Sequence, residues 1–276
     1  MEDNLLFREK TLSTSEINAY KLLHDLKLDS VMIPYTLQGN KLKMVKGSHP
    51  SRLELDFVQL YQNVLCKLYE VQSSILTPGI YSFFNACICS SNIIVGDQGY
   101  LDYVLMEQQN IFCHYGKYIS PIVEQTYLDS AIQFSKWCKR NRNSFIPEYV
   151  LLHGDLFVGN ILSYHNAYKL IDLEFLRFGP KELEIAFLLC WDFISNPMLK
   201  PYSYYVISQN IDALIAAKII KEETVAYIVN GYMPLIVSLA CIAASANLYT
   251  DSSLILDGCN SFWNNCLIRK IKEVSI

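Results

Sequence analysis

Polar and apolar positions in the first fifty residues predict a strand, a helix and a hairpin, in that order. Residues 5–10, LLFREK, form a short strand candidate. Residues 13–26, STSEINAYKLLHDL, begin with serine and threonine cap candidates, and their apolar side chains recur at helical spacing. After Pro34, the pair Gly39-Asn40 lies between two short apolar runs, which is typical of a hairpin.

Longer helical patterns begin near Arg52. Residues 53–74 repeat apolar side chains every three or four positions, and residues 120–140 open with Ser120 as a cap and Pro121 at the first helical position. Residues 91–107 fit a helix start or extended pieces equally well. Beyond residue 180 the pattern predicts four or five more helices.

An uncharged segment near the C-terminus is long enough to require a membrane test. Residues 224–250 contain no charge, and a membrane-spanning helix needs about 20 apolar residues. The segment also contains Gly231, Pro234 and Asn247, and no basic cluster lies close to it. We therefore expect a buried helix and no membrane partner.

The segment of residues 151–175, LLHGDLFVGNILSYHNAYKLIDLEF, places several polar groups among apolar ones. Burying an unpaired carboxylate costs several kcal/mol, so these groups either pair with one another or bind something. Two strand-like runs, residues 160–164 and 168–175, flank a turn and predict a hairpin. Folding back the hairpin brings Asp155, Asn160 and Asp172 to one edge.

Residues 153–160, HGDLFVGN, match the pattern H-x-D-L-x-x-x-N of kinase catalytic loops. In that pattern the aspartate accepts the proton of the substrate hydroxyl and the asparagine binds magnesium. Asp172 then follows at the position of the second metal-binding aspartate. Phosphoryl transfer needs such a set, with oxygen ligands for a hard cation and one carboxylate beside the acceptor.

HGDLFVGNIL followed by LIDLEFLRFGPKELEIA resembles the aminoglycoside phosphotransferase and choline kinase family, in which I-D-x-E replaces the D-F-G of protein kinases. The resemblance implies that Asp155 is the catalytic base. It implies that Asn160 and Asp172 hold magnesium and that Glu174 supports this metal site. Glu184 matches an acidic residue that braces the catalytic loop in the family.

The resemblance implies a fold class of α+β, as a two-lobed protein-kinase-like fold. We expect a reduced N-terminal nucleotide-binding lobe at residues 1–47 and a large helical C-terminal lobe at residues 48–276. The catalytic hairpin of residues 151–175 belongs to the larger lobe. A protein kinase fits less well, because no activation segment with A-P-E follows Asp172.

A lysine that holds the nucleotide phosphates is the second implied element. SEINAYKLL resembles the family helix in which a glutamate, here Glu16, pairs with this lysine. Lys10 is the candidate and Arg8, on the same strand face, is its rival. In the alternative interpretation both are solvated surface charges.

One feature departs from the family pattern. Members have two strands and a phosphate-covering turn before the lysine, whereas nine residues precede Lys10 and no glycine occurs before Gly39. The backbone N–H groups that cover the nucleotide phosphates in the family are therefore missing here, supplied by another part of the chain, or lost because the gene starts further upstream. A noncatalytic, kinase-like scaffold that binds nucleotide weakly therefore stays open beside an active enzyme.

The composition of the chain limits the classes of ligand that it is expected to bind and indicates its cellular compartment. The formal net charge is -4, which argues against nucleic acid and favours a cationic or metal-bound ligand. The nine cysteines are scattered without metal-ligand spacing and indicate reduced thiols, hence a cytoplasmic protein. The N-terminus has no signal-peptide pattern. The sequence leaves the oligomeric state open.

The expected reaction is transfer of the γ-phosphoryl group of ATP or GTP, with Mg²⁺, to a hydroxyl of a small molecule. In this family the acceptor binds between the catalytic loop and the C-terminal helices, and cationic acceptors meet carboxylates or aromatic rings. Amino alcohols, aminoglycosides, sugars and nucleosides all stay open. Candidates of suitable type and region are Trp191, Asp192, Tyr202, Tyr204, Tyr205 and Trp263, each of which also fits plain packing.

Overall fold

The structure is a computed structural model that describes residues 7–71, 149–245 and 249–274. These residues form two compact units, the first from residues 7–71 and 149–184 and the second from residue 185 onward. The helix predicted at residues 120–140 and the undecided segment 91–107 lie outside the described residues. The predicted lobe boundary between residues 47 and 48 stays a prediction.

The first fifty residues have the predicted order of elements. Strand β1 (Phe7–Thr11) precedes helix α1 (Thr14–Asp25), and strands β2 (Tyr35–Gln38) and β3 (Lys41–Val45) form the hairpin. The sheet is antiparallel with the order β1-β3-β2. Helix α1 begins where the Ser13 side chain accepts a hydrogen bond from the backbone N–H of Glu16.

A continuous helical segment follows the first sheet. It consists of α2 (Phe57–Leu60), a π-helical turn (Tyr61–Leu65) and α3 (Cys66–Tyr69). The sequence pattern places its start near Arg52. The helix begins five residues later because the Asp56 side chain caps it, accepting a hydrogen bond from the backbone N–H of Gln59.

The hairpin predicted within residues 151–175 consists of β5 (Ile161–Tyr164) and β6 (Ala167–Leu170) in antiparallel register. Its turn residues His165 and Asn166 have φ of 48° and 60°, as a two-residue hairpin turn requires. The second strand was predicted to reach residue 175, which is wrong. It ends at Leu170 because Asp172 adopts a left-handed backbone conformation, with φ of 63°.

A second strand pair adjoins the hairpin and was not predicted. Strand β4 (Tyr149–Leu152) pairs antiparallel with β7 (Arg177–Pro180), so the two strands bracket the loop and the hairpin between them. A backbone hydrogen bond joins the segment just before β2 to the same hairpin, since Ile33 donates to the carbonyl of Leu170 over 3.3 Å. The ends of β1, β4 and β6 thereby belong to one packed unit.

The second unit is helical. Four long helical segments occur among the described residues beyond 180, in agreement with the predicted four or five. Among the residues that the structure describes, no helix has both the length and the hydropathy needed to cross a membrane. The segments are α4 (Lys181–Ser195), α5 (Ser203–Ala216), α6 (Glu222–Tyr227) with α7 (Met233–Ser245), and α8 (Ser252–Phe262) with α9 (Ile268–Val274).

The described cysteines are consistent with the predicted reduced state. Cys66, Cys190, Cys241, Cys259 and Cys266 are all free thiols, and all but Cys66 are buried.

Close approach of α8 to α4 generates a stability prediction for the second unit. A Cβ atom on Gly258 would lie 1.8 Å from the carbonyl oxygen of Ile194, so the helices must separate to admit it. Gly258→Ala should therefore lower the free energy of unfolding by about 2 kcal/mol or more. Urea denaturation measures this, and Ser253→Ala, at an exposed position of the same helix, is the control. Equal stability of the two variants would contradict the packing.

Candidate functional site

The loop that follows β4 is held by a buried histidine. His153 is fully buried, and its Nε2–H donates to the carbonyl of Ile171 over 2.8 Å. Its Nδ1 is left as an acceptor, and the backbone N–H of Asp155 donates to it over 3.4 Å. Burial lowers the pKa of His153, which keeps the ring neutral. The histidine thus fastens Asp155 to the end of the hairpin.

Gly154 must be a glycine for two reasons. Its φ is +86°, in the left-handed region that side chains disfavour. A Cβ atom at this position would also lie 2.0 Å from the carbonyl oxygen of Phe175. The loop therefore runs directly against the segment that leads from Asp172 to β7.

Glu184 braces the same loop from the start of α4. It is 3% exposed, and its Oε2 accepts the backbone N–H of Gly154 over 2.8 Å. Its Oε1 accepts the hydroxyl of Tyr69, in α3, over 3.1 Å. Burial raises the pKa of Glu184 to about 7, and the two hydrogen bonds counteract this rise. The contacts match the bracing position implied by the family resemblance.

Asp155 and Asn160 contact each other directly. The side-chain amide of Asn160 donates to the backbone carbonyl of Asp155 over 2.7 Å and to its Oδ2 over 3.2 Å. Burial raises the pKa of Asp155, and the hydrogen bond from Asn160 lowers it in part. The amide nitrogen of Asn160 therefore faces Asp155.

Lys10 joins three elements of the unit. Its Nζ donates to Oε1 of Glu16 over 3.0 Å and to Oδ1 of Asp172 over 2.8 Å. The Glu16 side chain is 2% exposed, whereas that of Asp172 is 43% exposed. Burial lowers the pKa of Lys10, but the hydrogen bonds to Asp172 and Glu16 outweigh burial and raise it overall. Lys10 is therefore a firmly charged cation beside an accessible carboxylate.

Arg8, the rival of Lys10, has no comparable position. It lies two residues earlier on β1, and its side chain is exposed. Among the described residues, no hydrogen bond or salt bridge joins it to Glu16 or Asp172. The geometry therefore brings Lys10, and not Arg8, to the end of the hairpin.

The donor set of the hairpin end suits magnesium. Glu174 is exposed and lies two residues after Asp172, and its charge raises the pKa of both Asp155 and Glu16. Among the described residues, no three His, Cys, Asp or Glu side chains lie close enough to form a metal site alone. Magnesium does not need such a cage, because it binds one or two carboxylates, waters and substrate phosphates. Asp172, Asn160 and Glu174 offer oxygen atoms of this kind.

The acceptor candidates all lie in the second unit, in different environments. Trp263 and Asp192 are buried, and Trp191 stacks on Phe187 with ring centroids 5.2 Å apart. The Tyr204 hydroxyl donates to Glu273, and the guanidinium group of Arg269 lies 3.6 Å from the centre of the Tyr204 ring. Tyr202 and Tyr205 are 50% and 63% exposed. Only these two present most of their surface to a ligand.

Comparison with solved structures identifies the architecture. The chain matches Plasmodium vivax ethanolamine kinase with a TM-score of 0.51 and 13% identity, covering 100% of this chain and 77% of that one. It matches a thermostable mutant of aminoglycoside phosphotransferase APH(4)-Ia, in a ternary complex with AMP-PNP and hygromycin B, with a TM-score of 0.55 and 11% identity, covering 96% and 85%. This chain has the protein-kinase-like fold. The protein-kinase-like fold predicted from the HGD and IDLE motifs is thereby confirmed, and its division into a reduced and a large lobe stays a prediction.

A third solved structure also matches the fold, whereas comparisons of sequence give no match. The gentamicin complex of APH(2")-IIa matches with a TM-score of 0.51 and 14% identity, covering 96% of this chain and 87% of that one. No family model matches the sequence, and no curated protein matches it either. The similarity of this chain to these solved structures therefore lies in the fold.

Tyr69 is a site residue that the motifs do not reveal. It lies 115 positions before Glu184 and carries no motif, although its place at the end of an apolar helix is a weak signal for a core contact. Tyr69 is itself 6% exposed, so its hydroxyl needs a buried partner, which Glu184 provides.

The Tyr69–Glu184 hydrogen bond predicts a pH-dependent stability. The pKa of Glu184 is about 7 in the folded protein and 4.5 ordinarily, so the folded state binds this proton more tightly. The group's contribution to the free energy of unfolding is therefore full below pH 4.5 and falls as the pH rises to about 7. The Tyr69 hydroxyl stabilises the carboxylate and limits this fall.

Tyr69→Phe should therefore cost about 1–2 kcal/mol more at pH about 8.5 than at pH about 5.5, as measured by urea denaturation. Tyr20→Phe is the control, because the Tyr20 hydroxyl is buried without a hydrogen-bond partner among the described residues. A cost for Tyr69→Phe that does not change with pH would contradict the assigned hydrogen bond.

Proposed function

We propose that the protein is a phosphotransferase that moves the γ-phosphoryl group of ATP to a hydroxyl group of a small molecule, with Mg²⁺. The observation that carries the proposal is the contact of Lys10 with both Glu16 and Asp172, beside the hydrogen-bonded pair of Asp155 and Asn160. A lysine, a metal-binding aspartate and a base with its asparagine are the parts that kinases use.

Lys10 is the proposed phosphate ligand. Its ammonium group has three donors, and two of them are directed at Glu16 and Asp172. The third is free for a nucleotide phosphate. Glu16 holds the ammonium group in place, since a buried carboxylate without this partner would be costly.

Asn160, Asp172 and Glu174 are the proposed magnesium ligands, and magnesium, when bound, neutralises charge on the nucleotide phosphates. Asp172 is placed for this role by its left-handed backbone conformation, with φ of 63°. Such a conformation costs on the order of 1 kcal/mol in a residue other than glycine and is concentrated at functional sites.

Asp155 is the proposed catalytic base. It accepts a hydrogen bond from Asn160, which fixes the orientation of its carboxylate. The acceptor oxygen bonds to phosphorus as the bond from phosphorus to the bridging oxygen of ATP breaks, leaving ADP, and the hydroxyl proton passes to Asp155. The base aligns the hydroxyl and takes its proton late in this loose transition state.

The choice of nucleotide and of acceptor class in this proposal is supported by the names of the matched solved structures. One match is a complex with AMP-PNP, an ATP analogue, which favours ATP over GTP for this chain. The matched proteins are named for ethanolamine and for aminoglycosides, which are amino-bearing alcohols. We extend this class, small molecules with a hydroxyl and a cationic amine, to the acceptor here, in accordance with the net charge of -4.

The first test of the site compares two cationic residues on one strand. Lys10→Met removes the proposed phosphate ligand and should weaken Mg-ATP binding by about tenfold or more, the worth of one hydrogen bond to a charged group. Arg8→Met removes an exposed side chain of the same strand and should leave the affinity unchanged. Isothermal titration calorimetry provides the affinities. The reverse ranking would move the phosphate role to Arg8.

The second test addresses the chemical step. Asp155→Asn keeps the shape of the side chain and its acceptor oxygen but removes its charge, so folding and Mg-ATP binding should survive. Turnover should fall by about 10²-fold or more, as for loss of a general base. Asp172→Ala is the contrasting variant, because it should abolish Mg-ATP binding. ADP release is measured with ethanolamine, aminoglycosides and nucleosides as acceptors.

The same assay separates the enzyme from a kinase-like scaffold. An enzyme must release ADP with at least one acceptor or hydrolyse ATP slowly without one. A parent protein that does neither, while folding normally, would make the scaffold the better description. Full activity of Asp155→Asn would remove Asp155 from its role.

A further inference from the structure

Arg177 is a cationic residue beside the loop that follows β4. The kinase motifs do not include Arg177. It is the first residue of β7 and pairs in register with Leu152, the last residue of β4. The chain continues from Leu152 into His153, Gly154 and Asp155. Two residues before Arg177, the carbonyl of Phe175 lies so close to Gly154 that no Cβ atom fits between them. Arg177 therefore originates beside the strand end that carries Asp155.

The Arg177 side chain is half-buried and has no partner of its own. Among the described residues, its guanidinium group forms no hydrogen bond, salt bridge or ring contact. A half-buried guanidinium group with five donors usually binds an acceptor group, most often a carboxylate or a phosphate. Arg177 is thus a half-buried cation whose donors have no partner among the described residues.

The charge of Arg177 acts on two carboxylates of the loop. It lowers the pKa of Asp155 and also that of the buried Glu184, although burial dominates both groups. Among the described residues, neither carboxylate forms a hydrogen bond or an ion pair with Arg177. The strand register therefore places the backbone of Arg177 beside the start of the Asp155 loop, and no direct contact neutralises its charge.

The other cation of the site, Lys10, uses two of its three donors within the protein. Lys10 is bonded to Glu16 and Asp172, at the end of the hairpin. A phosphoryl group that leaves the nucleotide moves from this side toward Asp155, where a cation is needed to stabilise its charge. Arg177, which begins beside the Asp155 loop and whose donors have no partner among the described residues, is suited to this role.

We propose that Arg177 binds an oxyanion next to Asp155. The oxyanion is either the phosphoryl group during transfer or a negatively charged group of the acceptor. This inference rests on the proposed phosphotransferase function and adds to it a residue of the acceptor side. An arginine that stabilises a transferring phosphoryl group contributes strongly to the rate, because it acts on charge that develops in the transition state.

The experiment uses a stand-in for the phosphoryl group and no acceptor. Mg-ADP is titrated into the full chain with and without aluminium fluoride, which occupies the place of the transferring group. In the parent protein, fluoride should tighten Mg-ADP binding. Arg177→Leu should lose about tenfold or more of this gain, and Arg177→Lys should keep part of it. Both variants should bind Mg-ADP alone as the parent does, since Lys10 and the magnesium ligands are intact.

Arg269→Leu is the matched control. Arg269 has partners of its own in the second unit, the Tyr204 ring and the Glu273 carboxylate. Its removal tests whether loss of any arginine weakens the fluoride complex, and it should not. Urea denaturation of Arg177→Leu shows whether the variant is folded, and if it is not, Arg177→Lys, which preserves the charge but not the planar donors, decides the result.

A second arm distinguishes the source of the oxyanion. Glycerol phosphate and ethanolamine are titrated as an anionic and a cationic probe of the acceptor side. If Arg177 binds the acceptor, Arg177→Leu should keep the fluoride gain and lose about tenfold or more in affinity for glycerol phosphate alone. If Arg177→Leu changes neither the fluoride gain nor glycerol phosphate binding, the proposal is wrong.

The same titrations distinguish failure of the proposed phosphotransferase function from failure of the Arg177 role alone. A parent protein that binds no Mg-ADP at all would refute the phosphotransferase, and with it the role of Arg177. A parent that binds Mg-ADP normally, with a fluoride gain that Arg177→Leu retains and no glycerol phosphate binding to lose, would refute the role of Arg177 alone.

Discussion

The contact of Lys10 with Glu16 and Asp172 is the interaction on which the site depends. It joins a strand of the first sheet, the helix that follows and the end of a hairpin that is 162 residues away in sequence. Because Glu16 is almost fully buried, its charge requires a cation, and Lys10 is that cation. The same ammonium group also donates a hydrogen bond to Asp172. Burial of one acid thereby positions a lysine at another, accessible one.

Local sequence signals predict the elements that carry these groups. The strand, helix and hairpin of the first fifty residues and the turn at His165 and Asn166 follow from short-range spacing and turn chemistry, and all occur in the structure. The strand predicted through residue 175 fails because one left-handed residue, Asp172, overrides its strand propensity. Strand propensity describes packing against neighbours, so a functional constraint on one residue can end a strand that its composition favours.

The site divides into what motifs reveal and what packing adds. The motifs predict Asp155, Asn160 and Asp172 together, because the hairpin folds residues near in sequence onto one edge. Tyr69 and Arg177 have no motif, since the Tyr69–Glu184 contact and the pairing of Arg177 with Leu152 in register both join segments that are distant in sequence. Sequence reasoning could have located them only by a count of unsatisfied groups, in which a buried phenol requires an acceptor and a buried carboxylate requires donors.

Burial separates the two kinds of carboxylate in this unit. Glu184 is enclosed with two donors directed at its two oxygens, so it can bind nothing else and serves to hold the loop. The Asp172 side chain is 43% exposed, with one oxygen on Lys10, and Glu174 is exposed as well. A fold that needed only stability would gain little from exposed acids next to one another, because like charges repel. Their exposure leaves their oxygen atoms accessible, which the magnesium site proposed above would require.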